Sequence, residues 1–295
     1  MRKSRKVGPA ARIDPQQLAC YRKRCLISSL SVSIVTTNGI RIAFSDDGTG
    51  QPVVFVHGFP LNRTMWQPQV AALSSTFRIV TVDLRGHGDS DAPLWRYRID
   101  DFVDDILAVL DDLRLPRVSL VGLSMGGYVA LALARLYPDR LSGLVLSDTR
   151  AQADTPEGRQ GRFHLAQAAH ERGAGAVADT MLPKLLSAKT RDSRPDLVAQ
   201  VRTMIEHMRL GGIVGDLMAM ADRPDSVPLL ETLDCPTLVI VGADDQTTPL
   251  PDARLMAERI PGARLEIIPE AGHLPNLEQP DGFNGCLDRF LRGLA

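Results

Sequence analysis

A short apolar segment ends at a glycine and delivers one serine into a second pair of glycines: Val118-Ser119-Leu120-Val121-Gly122-Leu123-Ser124-Met125-Gly126-Gly127. Apolar residues at helical spacing follow at once and continue to Tyr137-Pro138, so this segment is predicted to form a strand, a sharp turn and a helix. Gly122 and Gly126 bracket Ser124 in the spacing G-x-S-x-G, which is typical of a serine held at the tip of a strained turn. We therefore predict that Ser124 is a nucleophile.

The turn at residues 122–127, called the serine turn below, also offers a site for negative charge. Met125 begins the predicted helix, so its backbone N–H and the helix dipole can stabilise an oxyanion. The alternative interpretation is a common glycine-rich turn with an incidental serine. The strand before the turn and the helix after it favour the nucleophile.

A serine nucleophile needs a general base and an acid that orients this base. Among the six histidines, only His273 lies just after the last predicted strand, in a loop of small residues that can fold back over the serine turn. Asp245 follows the end of the preceding predicted strand, and the order Ser124, Asp245, His273 is nucleophile, acid, base. Asp244 and Asp148, which also follow strand ends, remain alternative acids.

Strand and helix patterns alternate on both sides of the serine turn. Asn38-Gly39 separates two alternating segments and predicts a hairpin, and the apolar run at residues 52–56 predicts a strand that is buried on both faces. The alternation stops near residue 150 and resumes at residue 236. This pattern predicts an α/β fold in which a mostly parallel sheet carries helices on both faces.

Residues 151–226 contain helical stretches but no convincing strand. Ligands bind at the carboxyl ends of parallel strands, so a helical insert between two strands is predicted to form a lid over that edge of the sheet. The chain therefore divides into a core of residues 31–150 and 227–295, this lid, and a tail at residues 1–30.

The tail differs from the remainder in its charge. Residues 1–28 hold eight Lys or Arg and one acid, a net charge of +7, which leaves 26 basic and 34 acidic residues, or −8, elsewhere. Its apolar stretch is too short and too polar for a signal peptide, so we expect a disordered or loosely docked tail.

Composition excludes several classes of protein. The 295 residues are 44% hydrophobic with a net charge of −1, which is typical of a globular protein. No apolar run reaches the roughly 18 residues of a membrane span. The four cysteines show neither a C-x-x-C pair nor zinc-site spacing, so we expect reduced thiols, a cytoplasmic location and no metal.

The predicted lid is rich in methionine. It holds five of the nine methionines, and its predicted helix at residues 195–210 has an apolar stripe that includes Met204 and Met208. The stripe either docks the lid onto the core or lines an adaptable apolar acyl pocket. Residues 150–225 hold 11 basic and 10 acidic side chains, so no preference for an acidic substrate can be inferred.

Five motifs together resemble the α/β-hydrolase superfamily over residues 32–295: His57-Gly58-Phe59-Pro60, residues 83–90, residues 122–127, the loop that contains Asp245, and Ala271-Gly272-His273. The resemblance implies an eight-stranded sheet with the lid inserted after the sixth strand. It further implies that the backbone N–H of Phe59 is the second oxyanion donor, that His57 is structural, and that Arg85 and His87 brace neighbouring loops.

The serine at the turn makes the chain most similar to the carboxylesterase and enol-lactone hydrolase branch of this superfamily. The implied activity is hydrolysis of a small carboxylic ester or lactone by Ser124, His273 and Asp245 through an acyl-enzyme, with no cofactor and no nucleic acid partner. Alternatives on the same three residues are carbon–carbon bond hydrolysis, perhydrolysis and acyl transfer. A ligand receptor without turnover is an alternative from another class.

Overall fold

The computed structural model describes residues 32–294. The predicted basic tail at residues 1–30, with Cys20 and Cys25, lies outside this range. Cys235 and Cys286 are free thiols. The cytoplasmic location stays a prediction.

The first two strands form the hairpin that the Asn-Gly pair predicts. Asn38 and Gly39 both have positive φ, 50° and 78°, as a two-residue hairpin turn with the twist of the flanking strands requires. They join β1 (Ser33–Thr37) to β2 (Ile40–Asp47), which pair antiparallel.

The remaining strands alternate with helices and run parallel to one another. They are β3 (Pro52–Val56), β4 (Arg78–Val82), β5 (Val118–Leu123), β6 (Leu141–Ser147), β7 (Thr237–Gly242) and β8 (Arg264–Ile268). The eight strands have the order β1-β2-β4-β3-β5-β6-β7-β8, in which only the pairs β1·β2 and β2·β4 are antiparallel. Every residue of β5 and of β7 is buried, as expected for strands covered on both faces. The predicted mostly parallel sheet is confirmed.

Helices link the strands and cover the sheet. Outside the insert they are α1 (Gln67–Leu73), α2 (Ile99–Asp112), α3 (Met125–Leu136), α10 (Leu250–Arg259), α11 (Pro275–Glu278) and α12 (Pro280–Arg292), with short 3-10 turns at Arg63–Trp66 and Pro138–Arg140. The last helical segment is divided between α11 and α12. Pro280 has no N–H to donate, and Gln279 before it leaves the helical region with φ −132°.

The segment between β6 and β7 is entirely helical. It contains α4 (Pro156–Arg172), α5 (Ala174–Leu185), α6 (Ala188–Ser193), α7 (Pro195–Glu206), α8 (Leu210–Ala221) and the short α9 (Val227–Leu230). Residues 32–295 cluster as one unit that includes these helices, so the separation of lid from core stays a prediction. None of the helices in residues 32–294 combines the length and the apolar character needed to cross a bilayer.

The parallel register brings four strand ends to one edge of the sheet. Leu123 at the end of β5 aligns with Ser147 of β6, Ser147 aligns with Ile240 of β7, and Gly242 aligns with Ile268 of β8. The residues that follow these strands, which include the predicted nucleophile, acid and base, are therefore neighbours.

Candidate active site

Ser124 connects β5 to α3 with a strained backbone. Its φ is 54° and its ψ is −112°, a conformation that costs a residue with a Cβ about 1–3 kcal/mol. Its N–H donates to the carbonyl of Ser147 at 2.9 Å, and its carbonyl accepts from Thr149 Oγ1 at 2.7 Å. The neighbouring strand therefore holds Ser124 in this geometry.

Two glycines of the serine turn are required by close packing. A Cβ on Gly122 would lie 2.3 Å from the carbonyl oxygen of Gly126, and a Cβ on Gly126 would lie 2.2 Å from that of Val56. Both distances are far below any van der Waals contact. The G-x-S-x-G spacing is thus a steric requirement of the way α3 packs against β3 and β5.

The two predicted oxyanion donors flank Ser124. Met125 is the first residue of α3, and Phe59 follows Gly58, whose added Cβ would lie 3.1 Å from Ser124 Cβ. Among the turns, loops and caps of residues 32–294, neither the Phe59 N–H nor the Met125 N–H has an acceptor. Both donors are available to a ligand beside the serine.

The predicted base and acid are in direct contact. His273 Nδ1 lies 2.8 Å from Asp245 Oδ2, and the two side chains are 1% and 0% exposed. Asp245 Oδ2 also accepts from Thr248 Oγ1 at 2.7 Å, and Oδ1 accepts from the N–H of Thr247 at 2.7 Å. These bonds orient the carboxylate toward the imidazole and fix a proton on Nδ1, which leaves Nε2 as the basic nitrogen.

The environment keeps Asp245 ionised. Burial raises its pKa, but the charge of His273 and the hydrogen bonds from His273, Thr248 and Thr247 together lower the pKa below its usual value. The sequence motifs did not identify Thr248 as a partner of Asp245. The signal for this role is its position three residues after Asp245, in the turn that begins at the aspartate.

Ser124 Oγ is not a hydrogen-bond partner of the imidazole. Within residues 32–294 the ring of His273 contacts the side chains of Asp245 and Thr248, the latter at 3.4 Å. Catalytic hydrogen bonds of this kind often tighten only when substrate binds. Of the two alternative acids, Asp244 is exposed, whereas Asp148 is buried close to Asp245.

The residues that the family resemblance implies as structural occupy the loops after β3 and β4. His57 accepts the Leu84 N–H at Nε2, 3.1 Å, and its Nδ1 lies 3.1 Å from the carbonyl of Gly58. Burial, followed by the charge of His87, lowers the pKa of His57 well below 6.5. Arg85 donates to both oxygens of Asp105 at 2.7 Å, which ties its loop to α2.

A cavity of about 430 Å³ lies beside the loop after β3 and the loop that follows Asp245. Phe59 and Thr248 contribute to its wall from the core side, and the helices of the insert contribute apolar side chains such as Leu165, Met181 and Leu217. Of the five methionines of the insert, only Met181 lines this cavity. The apolar stripe of α7 does not line this cavity. The hydroxyl of Thr64 donates to the sulfur of Met204 at 3.5 Å, and α7 packs against α5.

The wall of this cavity is rich in positive charge. Arg150, Arg162 and Lys184 line it, with Asp154 as the one acidic lining residue. Asp154 is buried between Arg162 and Arg223, and these arginines lower its pKa against the effect of burial. The balanced charges of residues 150–225 gave no sign of this excess, because it arises only when the helices pack together.

A larger groove of about 700 Å³ lies elsewhere, between the loop before α2 and the helices α4 and α8. Leu94, Trp95 and Phe163 contribute to it, and none of the predicted catalytic or oxyanion residues does. The smaller cavity is therefore the better candidate for substrate binding.

Comparisons with known proteins agree with this architecture. The protein family described as alpha/beta hydrolase fold matches residues 51–280. The 3-oxoadipate enol-lactonase 2 of Acinetobacter baylyi is 30% identical over 240 residues, which are 81% of this chain and 88% of that protein.

Two solved structures extend the comparison. A thermophilic esterase from Thermogutta terrifontis is 42% identical, with a TM-score of 0.85 over 89% of this chain and 97% of that one. The enol-lactonase from Burkholderia xenovorans is 32% identical, with a TM-score of 0.83 over 88% of this chain and 100% of that one. With the match over residues 51–280, the chain belongs to the α/β-hydrolase family and is a hydrolase of this fold.

Proposed function

We propose that this hydrolase cleaves a carboxylic ester or lactone with Ser124 as nucleophile, His273 as general base and Asp245 as the acid that orients the base. The observation that carries the proposal is the 2.8 Å contact between the buried His273 and Asp245, at the sheet edge where Ser124 is held in a strained turn. Such a constellation is the arrangement that activates a serine hydroxyl.

In the first half of the reaction, the Ser124 oxygen attacks the substrate carbonyl while its proton passes to His273 Nε2. Asp245 stabilises the imidazolium that forms. The N–H groups of Phe59 and Met125 donate to the tetrahedral oxyanion, which collapses and expels the alcohol, or opens the lactone, as the leaving oxygen takes the proton from His273.

In the second half, water attacks the acyl-enzyme. His273 accepts a proton from this water, and the second tetrahedral intermediate releases the carboxylic acid as Ser124 recovers its proton. One water is consumed for each ester bond. Neither a metal nor a cofactor enters the proposed mechanism.

The cavity supports a substrate with an anionic group away from the scissile bond. Of its three basic lining residues, Arg150 pairs with Asp252 and Arg162 pairs with Asp154, whereas Lys184 has no ion-pair partner within residues 32–294, and its positive charge favours a carboxylate. The similarity to proteins described as enol-lactonases supports lactones among the candidates. Hydrolysis of p-nitrophenyl hemisuccinate and of p-nitrophenyl butyrate, compared at equal concentration, tests this preference.

The nucleophile is tested by Ser124→Ala. Serine triads lose about 10⁶-fold in kcat without the serine, so we expect p-nitrophenyl ester hydrolysis and fluorophosphonate labelling to disappear. Ser193→Ala changes an exposed serine on α6 and serves as the control. Retention of more than a tenth of the activity by Ser124→Ala rules out the proposed nucleophile.

The same three residues can serve carbon–carbon bond hydrolysis, perhydrolysis or acyl transfer. Competition between water, peroxide and an alcohol for the acyl-enzyme separates ester hydrolysis from perhydrolysis and from acyl transfer. If the wild-type protein resists the fluorophosphonate, the receptor without turnover becomes the better interpretation.

A further inference from the structure

Glu278 is a buried carboxylate that the proposed reaction does not use. It ends α11 and is 4% exposed. Its Oε1 accepts the N–H of Gly272 at 2.8 Å, and its Oε2 accepts the N–H of Ser187 at 2.9 Å. Burial of a carboxylate is costly unless its oxygens are paired, and here each oxygen binds a backbone donor. Glu278 therefore joins two separate segments of backbone.

One of these segments carries the proposed general base. Gly272 directly precedes His273 in the loop between β8 and α11, residues 269–274, which is called the base loop below. The N–H of His273 itself donates to the carbonyl of Leu185 at 3.1 Å. Two consecutive N–H groups of the base loop are thus held by residues outside it.

The other segment belongs to the helical insert. Leu185 is the last residue of α5, and Ser187 directly precedes α6. The two segments are closely packed, because a Cβ on Gly272 would lie 2.6 Å from the nitrogen of Ser187. Arg194, which follows α6, adds a further connection by donating to the carbonyl of Glu278 at 3.2 Å. The position of the base loop consequently depends on the insert as well as on the sheet.

The same part of the insert contributes to the candidate substrate cavity. Met181 and Lys184 of α5 line that cavity, and the last residue of α5 accepts the N–H of His273. The helix that lines the cavity and the loop that carries the base are therefore in direct contact. A displacement of about 1 Å in a catalytic group can reduce the rate about 10²-fold, so this contact bears on catalysis.

We propose that Glu278 is a positioning residue, which holds the base loop against the end of α5 and thereby makes the position of His273 depend on the insert. The inference rests on the proposed function, since it assumes that His273 is the general base. No hydrogen bond joins Glu278 to the imidazole within residues 32–294, so Glu278 acts through the backbone at Gly272.

Glu278→Gln is the first test, because it retains the size of the side chain. An amide has only one oxygen, so its NH₂ group would face one of the two backbone N–H groups as a second donor. One of the two hydrogen bonds is therefore lost. We expect kcat for p-nitrophenyl butyrate to fall about 10- to 100-fold while KM stays within about twofold of the wild-type value.

Glu270→Gln is the matched control. Glu270 also lies in the base loop and pairs with Lys189 of α6 at 2.6 Å, so it too connects the loop to the insert. The two side chains of this pair are 59% and 61% exposed, and an exposed pair contributes little. This variant should keep the wild-type kcat. The proposal is overturned if Glu278→Gln is as active as Glu270→Gln.

The rate of fluorophosphonate labelling separates positioning from partial unfolding, which would also lower kcat. Ser124 reacts with this probe only when His273 activates it. A displaced base should slow labelling by the same factor as kcat, while all of the protein is labelled in the end. If Glu278→Gln instead leaves a fraction of the protein unlabelled and labels the rest at the wild-type rate, the role of Glu278 is merely structural and the proposal is wrong.

Ser187→Pro tests the same bond from the side of the insert. Ser187 has a φ of −58° and follows the extended residue Leu186, so proline fits the backbone but has no N–H to donate to Glu278. We expect kcat to fall at least as far as in Glu278→Gln, and Ser187→Pro/Glu278→Gln to be no slower than Ser187→Pro. Losses that multiply in the double variant would contradict a shared bond.

Ser187→Ala is the control for the proline variant. It also removes the hydroxyl that accepts the Thr190 N–H at the start of α6, but it keeps the N–H that donates to Glu278. Its kcat should therefore be about tenfold higher than that of Ser187→Pro. Equal values in the two variants would assign the loss to the cap of α6 and overturn the proposal.

Amide hydrogen exchange of the wild-type protein needs no variant to fold. The N–H groups of Gly272 and Ser187 bind the same carboxylate, so separation of the base loop from the insert should expose both and give them the same protection factor. Different protection factors would show that the two segments open separately, against the proposal. A wild-type protein that resists the fluorophosphonate would contradict the proposed function itself, whatever the exchange result, which separates the two failures.

Discussion

The ring Nε2 of His87 lies 2.7 Å from a carboxylate oxygen of Asp216, and both side chains are fully buried. His87 belongs to the loop after β4, and Asp216 belongs to α8 in the helical insert. Neither His87 Nε2 nor the Asp216 oxygens have a hydrogen-bond partner elsewhere in residues 32–294. The pair therefore couples the position of the insert to the protonation of one histidine.

Stability is expected to fall as the pH rises above 6.5. Burial lowers the pKa of His87, but the charge of Asp216 and its hydrogen bonds raise it overall above 6.5. A raised pKa in the folded state means that the stabilisation is complete below 6.5 and is lost as the pH passes through the folded-state value. The free energy of unfolding in urea, measured from about pH 6 to about pH 9, reports this loss.

The control for that experiment is Asp216→Asn. Its neutral amide leaves His87 without a counter-charge, so the variant should be less stable at low pH, by up to about 3–5 kcal/mol, and should lack the decline above 6.5. His57, whose ring centre lies 4.4 Å from that of His87, has a lowered pKa in the folded state, so its contribution to stability increases as the pH rises through 6.5 and is opposite in sign to the decline. A decline that persists in Asp216→Asn would assign the titration to another group.

Thr248→Val is expected to weaken the proposed triad without removing any of its members. The hydroxyl of Thr248 donates to Asp245 Oδ2 at 2.7 Å, and hydrogen bonds to charged groups contribute about 1.5–3 kcal/mol. Because part of this energy stabilises the transition state, in which His273 becomes charged, kcat/KM should fall by about tenfold.

Thr247→Val is the matched control for this variant. Thr247 donates to Asp245 from its backbone, which the substitution retains, and its hydroxyl donates to the carbonyl of Lys184 instead. Equal losses in the two variants would mean that the Thr248 hydroxyl has no particular role.

The mostly parallel sheet and the meeting of its strand ends at one edge could be predicted because they depend on local patterns. Gly122 and Gly126 bracket Ser124 for a steric reason that the spacing alone indicates. Asp245 follows an apolar strand, and His273 follows the last strand, in which polar and apolar residues alternate over Arg264–Ile267. Parallel strands then bring these ends together without any further information.

What the sequence could not predict depends on how helices pack. The contact between His87 and Asp216 joins residues 129 positions apart, and no periodicity relates them. The positive wall of the cavity combines Arg162 of α4 with Lys184 of α5 in the same way. By contrast, the break between α11 and α12 is indicated by Pro280 itself, since proline favours the first turn of a helix over its interior.

Gly126→Ala is expected to destabilise the protein and to reduce its activity together. The added methyl would lie 2.2 Å from the Val56 carbonyl oxygen, so α3 must move away from β3. Overpacking of this kind costs about 1–3 kcal/mol or more, and the movement displaces both Ser124 and the Met125 N–H. Thermal unfolding and ester hydrolysis measure the two effects.

Gly161→Ala provides the comparison. Gly161 lies in α4, and a Cβ there meets nothing within 4 Å. This substitution should stabilise the protein by about 0.5–1 kcal/mol, because alanine loses less conformational entropy in a helix. A Gly126→Ala variant as stable as Gly161→Ala would show that the serine turn is not closely packed.

Lys184→Met is expected to reduce the preference for anionic esters. Lys184 lines the cavity and takes part in none of the ion pairs within residues 32–294, so its charge is available to a substrate. A solvent-accessible charge of this kind contributes about 0.5–1 kcal/mol, so KM for p-nitrophenyl hemisuccinate should rise about two- to fivefold while KM for p-nitrophenyl butyrate stays unchanged.

Lys189→Met is the control, because it removes a lysine that is paired with Glu270 outside the cavity, and it should leave both KM values unchanged. Because exposed charges are screened by salt, the difference between Lys184→Met and the wild type should shrink as ionic strength increases, and a difference that is independent of salt would point to packing instead of charge.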